Sequence, residues 1–407
     1  MNRLVLIGNG FDIAHGLKTS YANFIDWYWE QRVAGFEKEF TKTSEDALCT
    51  LNYLGKETWS GFHVIKTHKH VPTKDIVNEI LNNTRLCKII SSTFFANIQY
   101  SVQTKKWVDI ENEYYRLLTE YALNEEEDED EKIDELNNQL YFIQDKLIDY
   151  LRNISINENM LKSDIKQKIY APFKQTDISI EGQKHLKTHI EMGLNLKDND
   201  WDIKLSQFQN STYLRGYVEE YKNKFNNEEF LEWDNVPVEL LLPNQVMLLN
   251  FNYTHIADLY CKKASIFTVN QIHGDVNNPD SVIFGYGDEL DEDYKDILNL
   301  NDNRLLTNIK SVKYLETDNY RKMLSFIESE PYQILVMGHS CGNSDRTMLN
   351  TLFEHKNCTS IKPFYYIRND GSDNYLDLIQ NIHRNFTDMP LMRDRVVNKE
   401  YCEPLTQ

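Results

Sequence analysis

Four short stretches of the chain carry the residue types that a small-molecule site needs. The first is VLIGNGFDIAHGL, where Gly8, Asn9 and Gly10 follow an apolar run and Phe11, Asp12, His15 and Gly16 come next. Glycines between a buried strand and a polar helix start let another group approach backbone N–H donors, as phosphate and ribose sites require. The second is LLNFNYTH, with Asn252 and Tyr253 just past an apolar run; an amide there can hold a hydroxyl or a water. The third, QIHGD, sets His273 and Gly274 after IFTVN. An imidazole so placed can take a proton near neutral pH, and the glycine would let a substrate pass close. The fourth, ILVMGHSCGNSDRTML, brings Gly338, His339 and Ser340 off a strand and offers Ser344 or Asp345 as the N-cap of a following helix. Glycines, hydroxyl and helix start together make a ribose or phosphate seat.

The first turn is not the usual dinucleotide fingerprint. Ile13 stands at its third glycine position, and no acidic residue ends a second strand some 20 residues on. The fourth stretch has a rival reading, because Gly338-His339-Ser340-Cys341-Gly342 is a literal G-x-S-x-G, the nucleophile elbow of α/β-hydrolases. Ser340 would then be the nucleophile, with Asp370, Asp373 or Asp377 and His383 following in the right order. Other candidates are weaker. His185 and His189 lie one helical turn apart but lack a general base or third ligand for zinc, and His68 and His70 flank a lysine near a proline. In WVDIENEYY, Trp107, Ile110 and Tyr114 have core spacing, with Asp109 or Glu111 reaching the site as the alternative. No metal site is expected.

These stretches need strands to hold them. Short runs at 3–7, 246–250, 266–270, 281–284, 333–337 and 364–367 are largely apolar, as strands covered on both faces are. Ligand sites form at the carboxyl ends of such strands. Between about 30 and 240 the pattern turns helical. Ile133, Leu136, Leu140, Ile143, Leu147, Tyr150 and Ile154 repeat at 3,4 spacing, an a/d seam that packs either inside a helical domain or between two chains. The acidic run EEEDEDE at 125–131 precedes it, where negative charge favours a helix start. The expectation is a Rossmann-like parallel α/β sheet interrupted by a large α-helical insertion. Residues 1–30 supply the first strand and Gly-Asn-Gly turn, 31–240 the insertion, 241–395 the rest of the core and 396–407 a C-terminal tail.

Composition narrows the function. The 407 residues are 41% hydrophobic and 26% charged, the balance of a globular protein with room for a large core. No apolar run is long enough to span a bilayer, and the first strand lacks the parts of a secretory signal. Six scattered cysteines without a Cys-x-x-Cys pair fit reduced thiols in a cytoplasm. A net charge of −19 makes nucleic acid an unlikely partner, yet leaves a local nest of N–H groups able to hold a small anion.

Taken in order, the motifs resemble a known family. IGNGFDIAHGLKTSYANF is similar to the N-terminal signature of the AbiH family of bacteriophage abortive-infection proteins, and WVDIENEYY, LNFNYTHI, IHG, FGYGDE and GHSCGNSD continue the match. The order of turns also resembles the sirtuin-like NAD-binding fold. That resemblance implies Asn252 and His273 as the catalytic pair. It implies Gly8, Asn9, Gly10, Phe11, Asp12, Gly16, Tyr253, Gly274, Gly338, His339, Ser340 and Asp345 as the residues around the cofactor. Asn9, Asp12 and Thr254 depart from its pattern, and no four-cysteine zinc module is present, which argues against a deacetylase. The activity it implies is an NAD glycohydrolase that depletes NAD on infection, kept silent until assembly, a phage trigger or a partner chain releases it. The helical insertion offers a surface for a homo-oligomer. A non-catalytic nucleotide sensor, the Ser340 hydrolase and an RNA-directed toxin are the competing readings.

Overall fold

Most of the apolar runs become strands of one sheet. The computed structural model describes residues 1–39, 43–54, 87–105, 109–124, 129–195, 233, 236–261 and 266–406. Its strands are β1 (Asn2–Ile7), β2 (Thr43–Glu45), β3 (Cys49–Tyr53), β4 (Cys87–Ser91), β5 (Val246–Asn250), β6 (Phe267–Gln271), β7 (Tyr332–Met337) and β8 (Cys358–Phe364). Five of them form an all-parallel sheet in the order β6-β5-β1-β7-β8. Counted along the sheet this is 3-2-1-4-5, the doubly wound nucleotide-binding order without a sixth strand. Every residue of β1, β5, β7 and β8 is buried, which explains the largely apolar character of β1, β5 and β7. Register then does the positioning. Ile7 pairs with Asn250 and Met337, and Asn250 with Gln271, so the turns after β1, β5, β6 and β7 leave the sheet along one edge.

The described residues between β1 and β5 are mainly helical, with helices α1 (Asn9–Ala14), α2 (Tyr21–Glu39), α3 (Thr93–Lys105), α4 (Ile110–Leu123) and α5 (Glu129–Arg152) at the start of that segment. The heptad seam lies on α5. Ile133, Leu136, Leu140, Ile143 and Leu147 are buried in one cluster with α2, α3 and α4, so the seam is used inside the chain and is not open to a second copy. Helix α6 (Ile180–Leu194) instead lies on the sheet: Ser179 N–H donates to Thr359 O at 3.0 Å, and a Cβ on Gly182 would meet Thr359 Cβ at 2.8 Å.

Two expectations are corrected, and one feature is new. The helical segment holds a small antiparallel sheet, β2-β3-β4. Val282, Ile283 and Phe284 are buried, but residues 281–284 form no strand; Ile283 N–H instead donates to His273 O, folding the segment back over the His-Gly turn. The last strand runs from Cys358 to Phe364, ahead of the apolar run at 364–367. Its polar residues hid it, because each has a buried partner: Thr359 Oγ1 donates to Tyr332 O, Ser360 Oγ accepts from Gln333, and Lys362 pairs with Asp177 at 2.9 Å. His68, His70 and Trp107, and the acidic run before Glu129, lie outside the described residues. No helix among the described residues is long and apolar enough to cross a membrane.

The glycines of the first turn have a packing cause. Gly10 N–H donates to Gly338 O at 2.8 Å and Gly8 N–H to Met337 O at 3.3 Å, so the turn after β1 interlocks with the turn after β7. A Cβ on Gly338, whose φ is +75°, would lie 2.1 Å from Phe11 N, and one on Gly8 would lie 2.5 Å from His339 Cα. What approaches this backbone closely is the neighbouring turn of the same chain. Gly338→Ala is therefore expected to cost left-handed strain of about 1–2 kcal/mol plus about 1–3 kcal/mol of overpacking. Gly371→Ala, at φ +82° with nothing within 4 Å, should show the strain alone. Urea unfolding of the two variants measures the difference; equal losses would remove the interlock from the account.

Candidate active site at the carboxyl edge of the sheet

The turns after β1 and β5 are tied together by Asp12. One carboxylate oxygen accepts from Asn252 Nδ2 at 2.5 Å and the other from Thr254 Oγ1 at 2.7 Å. Asn252 Nδ2 also donates to Gly8 O at 3.0 Å, while its Oδ1 makes no hydrogen bond among the described residues. Asp12 is fully buried, and burial pushes its carboxyl up to about 7 against the lowering pull of the Thr254 and Asn252 hydrogen bonds. Its task in the structure is to fix the FNYT turn, with both oxygens already engaged. Thr254, a departure from the sirtuin-like pattern, is part of the same arrangement.

A second group of side chains converges on Lys310, which is wholly buried. Lys310 Nζ donates to Asp345 Oδ1 at 2.8 Å and to Glu111 Oε2 at 3.1 Å. His273 Nε2 lies 3.2 Å from Asp345 Oδ1 and 3.1 Å from the Tyr314 hydroxyl, and His339 Nε2 lies 3.5 Å from Asp345 Oδ2. Phe251 packs on both imidazoles. The members arrive from separate parts of the fold: Glu111 from the first turn of α4, His273 after β6, and His339 and Asp345 both after β7. Lys310 opens the short helix α7 (Lys310–Lys313). Asp345 sits at the N-cap of the helix Arg346–Glu354 but caps nothing with its side chain, because the carboxylate is turned to Lys310.

The charges sort themselves by partner. Burial alone would raise Asp345, but Lys310 first and then His273 hold it well below the usual carboxylate range. Glu111 has a longer contact to the same ammonium and the carboxylates of Asp345 and Asp109 nearby; burial, first of all, carries it up to about 8. Burial works against the Lys310 charge, and the two carboxylates more than reverse it, leaving the ammonium firmly protonated. His273 is pushed down by burial and then by Lys310, so its imidazole is neutral at pH 7. Facing a carboxylate, Nε2 carries the hydrogen, which leaves Nδ1 as the basic nitrogen; it makes no hydrogen bond among the described residues. On His339 the roles are fixed by Cys341 N–H, which donates to Nδ1 at 3.0 Å.

Beside this cluster is a cleft of about 140 Å³, lined by Tyr314, Tyr320, Met348, Asp345, Glu289 and Leu315. The Tyr314 and Tyr320 rings are stacked at 5.1 Å. This volume suits a ring or a few atoms and is below the ~300–1,000 Å³ of whole small-molecule sites. Tyr21 and Tyr253 are half-buried, and burial, followed by Glu111, opposes ionisation of both phenols. Asp109 caps α4 through Asn112 N–H and faces Gly342, as does the exposed Ser340.

The residues singled out from sequence separate into three sets. Tyr253, His273, His339 and Asp345 meet at the edge, while Asn252 is held by Asp12 and Gly8. Gly8, Gly10 and Gly338 belong to the interlock, and Gly274, at φ +83°, lies against Ser281 rather than leaving a path for substrate, since a Cβ there would stand 2.0 Å from Ser281 O. Phe11 is in the hydrophobic core, Asn9 is held on the surface by Thr19, and Gly16 makes the left-handed turn after α1. His15 is structural: its nitrogens engage Phe11 O and the Tyr260 hydroxyl. His189 engages the Met1 amine and Leu242 O. The hydrolase constellation does not assemble. Positive φ, the mark of an elbow nucleophile, falls on the buried Cys341 rather than Ser340, and Asp370, Asp373 and Asp377 bond Ser372, Lys399 and Arg368. Lys310 was invisible in the sequence, since a single lysine among helical residues carries no motif. Glu111 had only its place in WVDIENEYY.

Two outcomes test this electrostatics. Asp12, an acid with a raised folded pKa, stabilises the fold only while protonated, so its contribution is lost as pH rises from about 4 to about 7. Asp12→Asn, which can still bond Asn252 and Thr254, should flatten that fall and exceed the wild type by about 2–4 kcal/mol at pH 8 in urea unfolding, with no gain at pH 4. Lys310→Met leaves buried carboxylates without their ammonium and should cost about 3–5 kcal/mol near pH 7, a loss read in the same titration.

The model of the family described as bacteriophage abortive infection AbiH matches residues 4–367 of the chain, most of its length. No curated protein and no solved structure shows significant similarity to it. The glycine interlock, the Asp12-tied turn and the cluster on Lys310 all fall within the matched region. The chain belongs to the bacteriophage abortive infection AbiH family.

Proposed function

We propose that the protein acts in abortive infection by binding a nucleotide at the carboxyl edge of its sheet and hydrolysing NAD at the nicotinamide–ribose bond. The observation that carries this reading is the His273–Asp345 pair, a neutral imidazole oriented by an ionised carboxylate. The sirtuin-like order of turns supports NAD as the substrate, and the 3-2-1-4-5 sheet is one that holds nucleotides at this edge. Asn252, its amide nitrogen fixed by Asp12 and Gly8, presents Oδ1 to a water or a ribose hydroxyl. His273 Nδ1 takes the water proton as the oxygen bonds C1′, and Asp345 stabilises the imidazolium that results. Nicotinamide departs as a neutral ring, so the reaction asks for a base and for orientation of an oxocarbenium-like ribose, and for little acid. Activity of this kind must be silent before infection, which implies a phage trigger, a partner chain or assembly.

The test is nicotinamide release from NAD by the purified protein, alone and after exposure to infected-cell lysate. His273→Ala should lower the rate by about 10²–10⁴-fold and Asp345→Asn should also lower it, in both cases mainly through kcat. Nucleotide binding without nicotinamide release under either condition would replace the enzyme with a sensor.

A further inference from the structure

The cleft beside the cluster has no task in the reaction described above. Its volume of about 140 Å³ is close to the ~150 Å³ that accepts one benzene-sized ring. A monocycle fits that space, and a bicyclic base exceeds it. Tyr314 and Tyr320 stack at 5.1 Å and 22°, and the His273 ring lies 6.2 Å from Tyr314 at 16°. Three nearly parallel rings thus join the cleft to the proposed base. Met348 adds a thioether, and Leu315, 85% exposed, stands where the cleft meets solvent.

Charge decides what kind of ring. The titratable groups lining the cleft are carboxyls and phenols, Asp345, Glu289, Tyr314 and Tyr320, with no lysine, arginine or histidine among them. Cations of the adjoining segments are engaged elsewhere: Lys310 by Glu111 and Asp345, Arg346 by Asp288, and Lys313 by Glu316. The Asp345 charge is therefore largely compensated. Glu289 has no cationic partner among the described residues, and Thr347 Oγ1 accepts its N–H at 2.8 Å, which holds the residue on the cleft wall. A phosphate entering here would meet carboxylates and no counter-charge. A neutral ring would leave Glu289 unpaired, whereas a cationic ring gains from the tyrosine faces and from the carboxylate together.

We infer that this cleft binds a small, flat organic cation of the pyridinium type, set against the Tyr314–Tyr320 stack with Glu289 as its counter-ion. Two sources share that chemistry: a free N-alkylated pyridine, and the pyridinium end of an oxidised nicotinamide nucleotide. A reduced nicotinamide ring has lost the charge and is rejected. The inference goes beyond the proposed reaction, since binding needs none of its steps. It also ties the cleft to that site, because Tyr314 and Asp345, two of its walls, are the groups that face His273 Nε2 at 3.1 and 3.2 Å. An occupant of the cleft therefore bears on the groups that orient the imidazole.

The experiment titrates the full chain in a calorimeter with 1-methylnicotinamide, a permanent cation, and with nicotinamide, its neutral counterpart. The cation should bind about tenfold more tightly than the neutral ring, or better. Glu289→Gln should weaken the cation by about tenfold and leave nicotinamide within a few-fold. Tyr320→Leu should weaken both ligands and Tyr320→Phe should restore them, with unchanged melting temperatures establishing that the variants fold. NAD and NADH, added as competitors, distinguish the sources. Displacement of the cation by NAD and not by NADH supports the nucleotide's pyridinium as the occupant, and displacement by neither supports a free cation. Equal binding of cation and neutral ring, binding indifferent to Glu289 and Tyr320, equal displacement by NAD and NADH, or no binding at millimolar concentration overturns the inference. None of these outcomes depends on nicotinamide release, so NAD hydrolysis stands or falls by its own assay.

Discussion

A single buried ammonium organises this protein. Lys310 has no access to solvent, and its two partners come from opposite parts of the chain, Glu111 from the segment inserted after β1 and Asp345 from the turn after β7. A charge removed from water is tolerated only when its partners are held in place, so the helices of the insertion and the sheet must meet in one arrangement for the core to close. Other contacts follow the same seam. Arg152 donates to Val276 O, Gln144 to Val282 O, and the Tyr150 hydroxyl to Lys18 O, each joining α5 to the loops at the sheet's edge. The insertion is therefore a wall of the site.

The sheet makes its own contribution through the interlock of Gly8, Gly10 and Gly338. In the 3-2-1-4-5 order the crevice for a ligand opens where the order reverses, between β1 and β7. Here the two turns at that point are bonded directly to one another through the N–H groups of Gly8 and Gly10. The polar groups left for chemistry are displaced to one side, over β5, β6 and the start of the helix after β7. This accounts for a site whose working parts are carboxylates, imidazoles and tyrosines rather than a phosphate-binding glycine loop.

The family and the fold point in a common direction without meeting at a reaction. Membership of the AbiH family gives a role in abortive infection, and an α/β sheet of this order supports many chemistries. What narrows them is the local sorting of charge: an ionised Asp345, a neutral His273 and a Glu111 that burial keeps from ionising easily. The cluster is buried away from the acidic surface of the chain and contains its own cation.

Much of this was legible in the sequence. Apolar runs at 3–7, 246–250 and 333–337 are strands because residues covered on both faces must be apolar, and Asn252, His273 and Asp345 follow strand ends whose register aligns them. The 3,4 spacing of α5 likewise required a buried seam, although whether that seam met its own chain or another was left to the packing. The strand Cys358–Phe364 stayed hidden because its polar side chains find buried partners far away in sequence. The glycines announced a close approach, and only the folded chain showed that the approaching group is another glycine turn. Lys310 and Glu111 are ordinary residues in sequence; they become a site because tertiary packing removes water from both and brings them within 3.1 Å across 199 positions. Local pattern determined which segments form strands and helices, since burial of one face or two is written in residue order. Which charges meet, and which of them keep a proton, was decided by long-range contact and desolvation, and neither has a signature along the chain.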